Sequence, residues 1–122
     1  MASISTLTVG LQKFKKSQQV LEKIFSELPL QQVMLLLAIA EEEQGITQPS
    51  LAKKLDWPQG TVSRNVKKLS IYLEQNPGQP ARKRGYDLVE QRPDLSDRKT
   101  NIVLLTAKGK RILKEISSII EA

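Results

Sequence analysis

The chain has 122 residues, room for one compact domain and little more. It carries 19 Lys+Arg against 13 Asp+Glu, a formal net charge of +6, and contains neither Cys nor His. Those absences exclude disulfides, thiolate nucleophiles, zinc–thiolate sites and histidine acid–base or ligand chemistry. The longest apolar run, Val33 to Ala40, is eight residues, far below the roughly 20 that span a bilayer. The first 25 residues lack the apolar block of a secretory signal. The expectation is a soluble cytoplasmic domain whose surplus positive charge has a use.

The first predicted element is a helix over residues 4–28. Leu7, Leu11, Phe14, Gln18, Leu21, Phe25 and Leu28 alternate four and three apart, a heptad seam with one polar interruption. Pro29 separates it from a second helix over 30–43, whose apolar face includes Val33, Leu36, Leu37 and Ala40 and is widened by Leu35 and Ile39. Ile46-Thr47 reads as a short extended stretch. Thr47 is a candidate N-cap for a short third helix, Gln48 to Leu55, with Pro49 in its first turn and Leu51, Ala52 and Leu55 pointing inward. Asp56-Trp57 forms a turn, Trp57 serving as a hydrophobic staple, and a fourth helix runs from about Pro58 to Leu73. Its inward stripe is Val62, Val66, Leu69 and Leu73. Its outer face is polar and basic: Gln59, Thr61, Ser63, Arg64, Asn65, Lys67 and Lys68.

Asn76 to Pro80 breaks the helix and reads as a loop, followed by the basic run Arg82-Lys83-Arg84. Leu88–Arg92 and Asn101–Thr106 read as strands of a hairpin with a polar tip over 93–100. Thr106 caps a last helix, from Ala107 to the end, with Ile112, Leu113, Ile116, Ile119 and Ile120 on one face. The fold class is mainly α with a small β-hairpin, read as a single domain over 1–122 that comprises a terminal helix (4–28), a helix pair (47–73), a hairpin (88–106) and a C-terminal helix (107–122).

The charge is not spread evenly. Residues 46–114 hold 15 basic and six acidic side chains, net +9, and the two ends together are net −3. A short helix pair whose second member is polar and basic is a helix-turn-helix pattern, and a hairpin after it makes a winged helix. A helix fits the major groove, polar residues near its N-terminus reach base edges, and concentrated cations suit a polyanion.

Two stretches carry a family resemblance: ITQPSLAKKLDWPQGTVSRNVKKL (46–69) and LVEQRPDLSDRKTNIVLLTAKGKRIL (88–113). The second is the more specific, with Arg92 ending a strand, Asp97-Arg98-Lys99 at the tip, and Leu105-Thr106-x-x-Gly109 opening a helix. Together they resemble the MarR family of winged-helix transcriptional regulators. The resemblance implies a sequence-specific regulator of double-stranded DNA, more commonly a repressor, acting as a homodimer on a pseudo-palindrome. It implies that Arg98 enters the minor groove, oriented by Asp97 and flanked by Lys99. The recognition helix would supply base contacts, best from Arg64 and Asn65, and phosphate contacts from Lys67 and Lys68. It places the dimer contacts on the terminal helices, here Leu7, Leu11, Phe14, Leu21, Phe25, Ile112, Ile116 and Ile120.

Two features depart from the family pattern. Residues 70–87 are an insertion, read as an extended loop in which Arg82, Lys83 and Arg84 track phosphates. The C-terminal helix is short, about 24 Å at 1.5 Å per residue, which shifts dimerisation towards the N-terminal helix. No cofactor, metal site or effector is marked. The other readings are a DNA-binding module of a replication or recombination system, a winged-helix protein adaptor, and, least favoured, an enzyme using Glu41–Glu43. The expected location is the cytoplasm, on the nucleoid.

Overall fold

The computed structural model describes residues 4–24, 26, 28–97 and 99–122. The heptad-patterned segment forms one helix, α1 (Ile4–Ile24), ending short of the expected residue 28. Pro29 has extended backbone and opens α2 (Leu30–Ala40), its carbonyl accepting from the Gln32 and Val33 amides at 3.0 and 3.1 Å. A turn over 41–45 ends α2 three residues earlier than the sequence suggests. There two of the three glutamates reach the next helix instead of extending their own. Glu41 and Glu42 pair with Lys54, and the hydrogen bond to Glu41, with that to Glu42 and the attraction of both carboxylates, raises the ammonium above the ordinary lysine value despite partial desolvation.

β1 (Ile46–Thr47) leads into α3 (Gln48–Leu55). Thr47 caps α3 as expected: its hydroxyl oxygen accepts from the Ser50 amide at 3.2 Å, and Pro49 fills the first turn, where no intrahelical donor is needed. Asp56 ends α3 in the left-handed region at φ 55°. Pro58 then starts α4 (Gln59–Leu69).

The fourth helix stops four residues before its predicted end. The apolar spacing that suggested Leu73 as part of its inward stripe is misleading, because Leu73 is 66% exposed. Ser70 leaves the helix with extended backbone (φ −97°, ψ 179°). The chain then forms a hairpin instead of a loop: β2 (Tyr72–Glu74) pairs antiparallel with β3 (Arg82–Arg84), in the register Tyr72↔Arg84, Leu73↔Lys83 and Glu74↔Arg82. The second hairpin is the expected wing. β4 (Val89–Pro93) pairs with β5 (Asn101–Leu105), and β5 pairs also with β1, giving the sheet order β1-β5-β4. α5 (Ala107–Glu121) closes the chain. Thr106 caps it, its Oγ1 accepting from the Gly109 amide at 3.0 Å while donating to the Asp87 carbonyl at 2.6 Å.

The chain divides into two compact units. One holds α1 with the end of α5 from Arg111, where Lys13 Nζ donates to the Ile120 carbonyl at 2.8 Å. The other spans Pro29–Lys110 and contains the helix pair and both hairpins. Its core is built from Leu35, Leu36 and Ile39 of α2, Leu51 of α3, Val62, Val66 and Leu69 of α4, and Leu88, Val89 and Val103 around the wing sheet. Each such aliphatic side chain, removed from water, stabilises the unit by about 1.5–3 kcal/mol. Among the described residues, no helix is long and apolar enough to cross a membrane.

Candidate nucleic-acid interface

α4 is amphipathic, and the phase of its pattern decides which residues face out. Val62, Asn65, Val66 and Leu69 are buried, while Gln59, Ser63, Arg64, Lys67 and Lys68 are exposed and Thr61 is half-buried. The residues three and four apart from Val62 are Asn65 and Val66, so Asn65 lies on the inner stripe.

This corrects the expectation for Asn65 as a base-reading side chain. It is 7% exposed, and its amide is committed within the protein. Asn65 Nδ2 donates to Gln31 Oε1 at 3.1 Å and to the Thr61 carbonyl at 2.9 Å, while its Oδ1 accepts from Gln32 Nε2 at 3.3 Å. Asn65 is a polar strut between α2 and α4. Gln31 and Gln32, which no sequence motif picks out, are its partners. Gln32 itself is buried, and its Oε1 has no hydrogen-bond partner among the described residues. A network of this kind fixes how α4 is set against α2, because a buried amide that slips leaves unpaired groups.

The wing tip is ordered by its own carboxylates. Asp97 Oδ1 accepts from the Lys99 amide at 3.1 Å and Oδ2 from the Thr100 hydroxyl at 2.9 Å. Asp94 does the same for Ser96, accepting from its amide and hydroxyl. These are Asx-type turns, in which a short carboxylate side chain mimics a backbone acceptor. Asp97 therefore shapes the tip from within. Arg98 lies outside the described residues, and Lys99 is exposed.

The inserted hairpin stands directly on the end of α4. The Tyr86 amide donates to the Lys68 carbonyl at 3.1 Å, and the Leu88 amide to the Leu69 carbonyl at 2.7 Å. Two carbonyls that a helix end leaves without intrahelical partners are thereby satisfied. Gly85 makes this approach possible. Its φ is +99°, and a Cβ there would lie 1.7 Å from the Ser70 carbonyl oxygen. Lys67 Nζ sits 5.0 Å from the Tyr72 ring centroid, a cation–π contact from α4 to β2. Arg82, Lys83 and Arg84 are all exposed, and Arg84 Nε lies 3.7 Å from Glu74.

The residues expected at a dimer seam separate into groups. Leu11 and Phe14 are 68% and 58% exposed, and Leu7 and Ile120 are also exposed, with Ile116 half-buried. Leu21 and Ile112 are buried within the single chain, so a partner finds them already covered; both belong to the protein's own core. Phe25 lies outside the described residues. Among the described residues, no cluster of His, Cys, Asp or Glu is arranged to hold a metal ion.

Residues 33–70 match the family model for winged helix-turn-helix DNA-binding domains. No curated protein sequence matches the chain. Solved structures do. The S. aureus MepR–DNA complex superposes with a TM-score of 0.69 at 22% identity, covering 98% of this chain and 84% of that one. A mutant MarR from E. coli, complexed with operator DNA, gives 0.60 at 20% identity over 96% and 74% of the two chains. A MarR transcriptional regulator from Methanosarcina mazei Go1 gives 0.59 at 24% identity over 90% and 70%. The chain has the winged helix-turn-helix fold, which these solved structures share.

Proposed function

We propose that this protein is a MarR-type transcriptional regulator that binds double-stranded DNA sequence-specifically as a homodimer. The observation that carries the reading is α4. Its inner stripe and the Asn65 strut anchor it, while Gln59, Ser63, Arg64, Lys67 and Lys68 stand exposed beside a winged hairpin. Polar residues at the N-terminal end of such a helix read base edges in the major groove, and cations nearer its C-terminus hold phosphates. Arg64 is the base-reading side chain, with Gln59, Thr61 and Ser63 around it. Arg98, with Asp97 and Lys99, takes the adjacent minor groove, where narrow A·T-rich tracts concentrate negative potential.

The uncovered apolar side chains Leu7, Leu11 and Phe14 support α1 as the dimer contact, and exposed Ile120 and half-buried Ile116 support a share for α5. A two-fold dimer reads an inverted repeat. Repression by occluding a promoter, in the cytoplasm and on the nucleoid, is the mode of action proposed. Selection of bound duplexes from a random pool tests the reading. The expected product is an inverted repeat with half-sites about one helical turn, roughly 10 bp, apart. Recovery of unenriched sequence removes the claim of specificity.

A further inference from the structure

The β2–β3 hairpin separates the recognition helix from the wing, and neither its charge nor its anchoring is needed to build a winged helix. Residues 64–84 contain six cations, Arg64, Lys67, Lys68, Arg82, Lys83 and Arg84, against one carboxylate, Glu74. That is net +5 in a chain whose total is +6. That net +5 is more than half of the +9 held by residues 46–114, and all six cations are exposed.

The C-terminus of a helix is ordinarily a poor place for a phosphate, because its free carbonyls carry partial negative charge. Here the carbonyls of Lys68 and Leu69 are taken by Tyr86 and Leu88 amides, and Lys67 and Lys68 sit in the last turn. The hairpin is also not a loose tether. Gly85 packs against Ser70, three residue pairs form the ladder, and Lys67 lies over Tyr72. Its charges are therefore held at a fixed distance from the base-reading end of α4. Eleven residues of helix span about 16 Å, more than the roughly 12 Å width of the major groove. With the N-terminal end of α4 at the bases, a hairpin built on the opposite end lies beyond the groove, over the sugar–phosphate backbone.

We propose that β2–β3 is a second wing, binding the phosphate backbone of duplex DNA that flanks the bases read by α4, chiefly through Arg82, Lys83 and Arg84. This rests on the DNA-binding reading above. The second wing adds affinity and footprint without adding base preference, since phosphates carry no direct sequence information.

The test compares the full-length protein with the triple variant Arg82→Gln, Lys83→Gln, Arg84→Gln. All three side chains are exposed and, among the described residues, the ion pair lost, Arg84 with Glu74, is a surface pair, so the variant folds. Binding is measured on duplexes of about 20 and 40 bp carrying the same selected site, across about 50–200 mM salt, with hydroxyl-radical footprinting on the longer one. Each lost phosphate contact lowers the log–log salt slope by about 0.9, so the slope falls by about 2–3, and the variant loses roughly 40-fold less affinity than wild type over that salt range. Flanking backbone protection disappears, the wild type's preference for the longer duplex is lost, and base preference is unchanged. Unchanged slope and footprint in a variant that still binds overturn the second wing and leave DNA binding standing. Altered base preference places the hairpin in the groove and also overturns it. Failure of the wild type to bind any duplex at low salt removes both readings.

Discussion

Truncating Asn65 to Ala tests whether this side chain is a strut or a reader of bases. The variant loses the hydrogen bonds to Gln31 and to the Thr61 carbonyl, and the one received from Gln32. Gln31 is exposed and returns to water, but Gln32 is buried and its amide is left without a partner among the described residues. A net hydrogen bond contributes about 1 kcal/mol and an orphaned buried donor costs about 1–3, so the loss is about 2–4 kcal/mol. Against a typical stability of about 5–15 kcal/mol that is severe. At roughly 4 °C per kcal/mol for a chain of this size, Tm falls by about 8–16 °C. Thermal and urea melts at one fixed protein concentration measure it. The double variant Gln32→Leu, Asn65→Leu replaces both buried partners with apolar groups of similar size, and should recover to within about 1 kcal/mol of wild type. If Asn65→Ala melts within about 2 °C of wild type and relaxes base preference, Asn65 points into the groove and the strut is wrong.

Four further outcomes follow from the structure. Gly109→Ala should destabilise although Ala is the better helix former by about 1 kcal/mol, because its Cβ would lie 2.2 Å from the Leu88 carbonyl oxygen. Gly10→Ala, with nothing within 4 Å of the added Cβ, should instead stabilise by about that amount; equal shifts in urea midpoint for the two would contradict the close approach at Leu88. Gly85→Ala, strained by about 2–3 kcal/mol, should release the hairpin from α4 and speed hydrogen exchange at the Tyr86 and Leu88 amides; protection at the wild-type level would show the bolt to be dispensable. Leu11→Asp with Phe14→Asp should leave helical content intact and halve the mass measured by light scattering; an unchanged mass would remove α1 from the dimer contact.

Local chemistry made much of the fold legible. Thr47 and Pro49 announce α3, the Asp56–Pro58 turn separates it from α4, and the polar run after Pro93 marks the wing tip. These are rules that act within a few residues. The inserted β2–β3 hairpin was hidden for a physical reason. Leu73 continues the spacing of Val62, Val66 and Leu69, so the pattern prolongs the helix, and what stops it is tertiary. Gly85 returns from 15 residues downstream to lie on Ser70, and the Tyr86 and Leu88 amides claim the last carbonyls of α4. Strands as polar as Tyr72–Glu74 and Arg82–Arg84 give no apolar alternation to recognise. Asn65 was misread through its residue type, since a polar side chain suggests an outer face. Its phase, three residues after Val62 and four before Leu69, already pointed inward. Its partners Gln31 and Gln32 sit more than 30 residues away and become visible only once α2 and α4 pack.

Everything proposed for this protein depends on the basic residues of α4, the wing and the inserted hairpin binding duplex DNA. The most direct measurement is the affinity of the wild-type protein for its selected duplex, and for an unrelated duplex of equal length, across a salt series. The expected result is a linear fall of log affinity with log salt, a slope of about −6 to −9 for some seven to ten neutralised phosphates, and an affinity gap of at least about 1000-fold between the two duplexes. A flat salt response, or equal affinity for both duplexes at every salt, contradicts it.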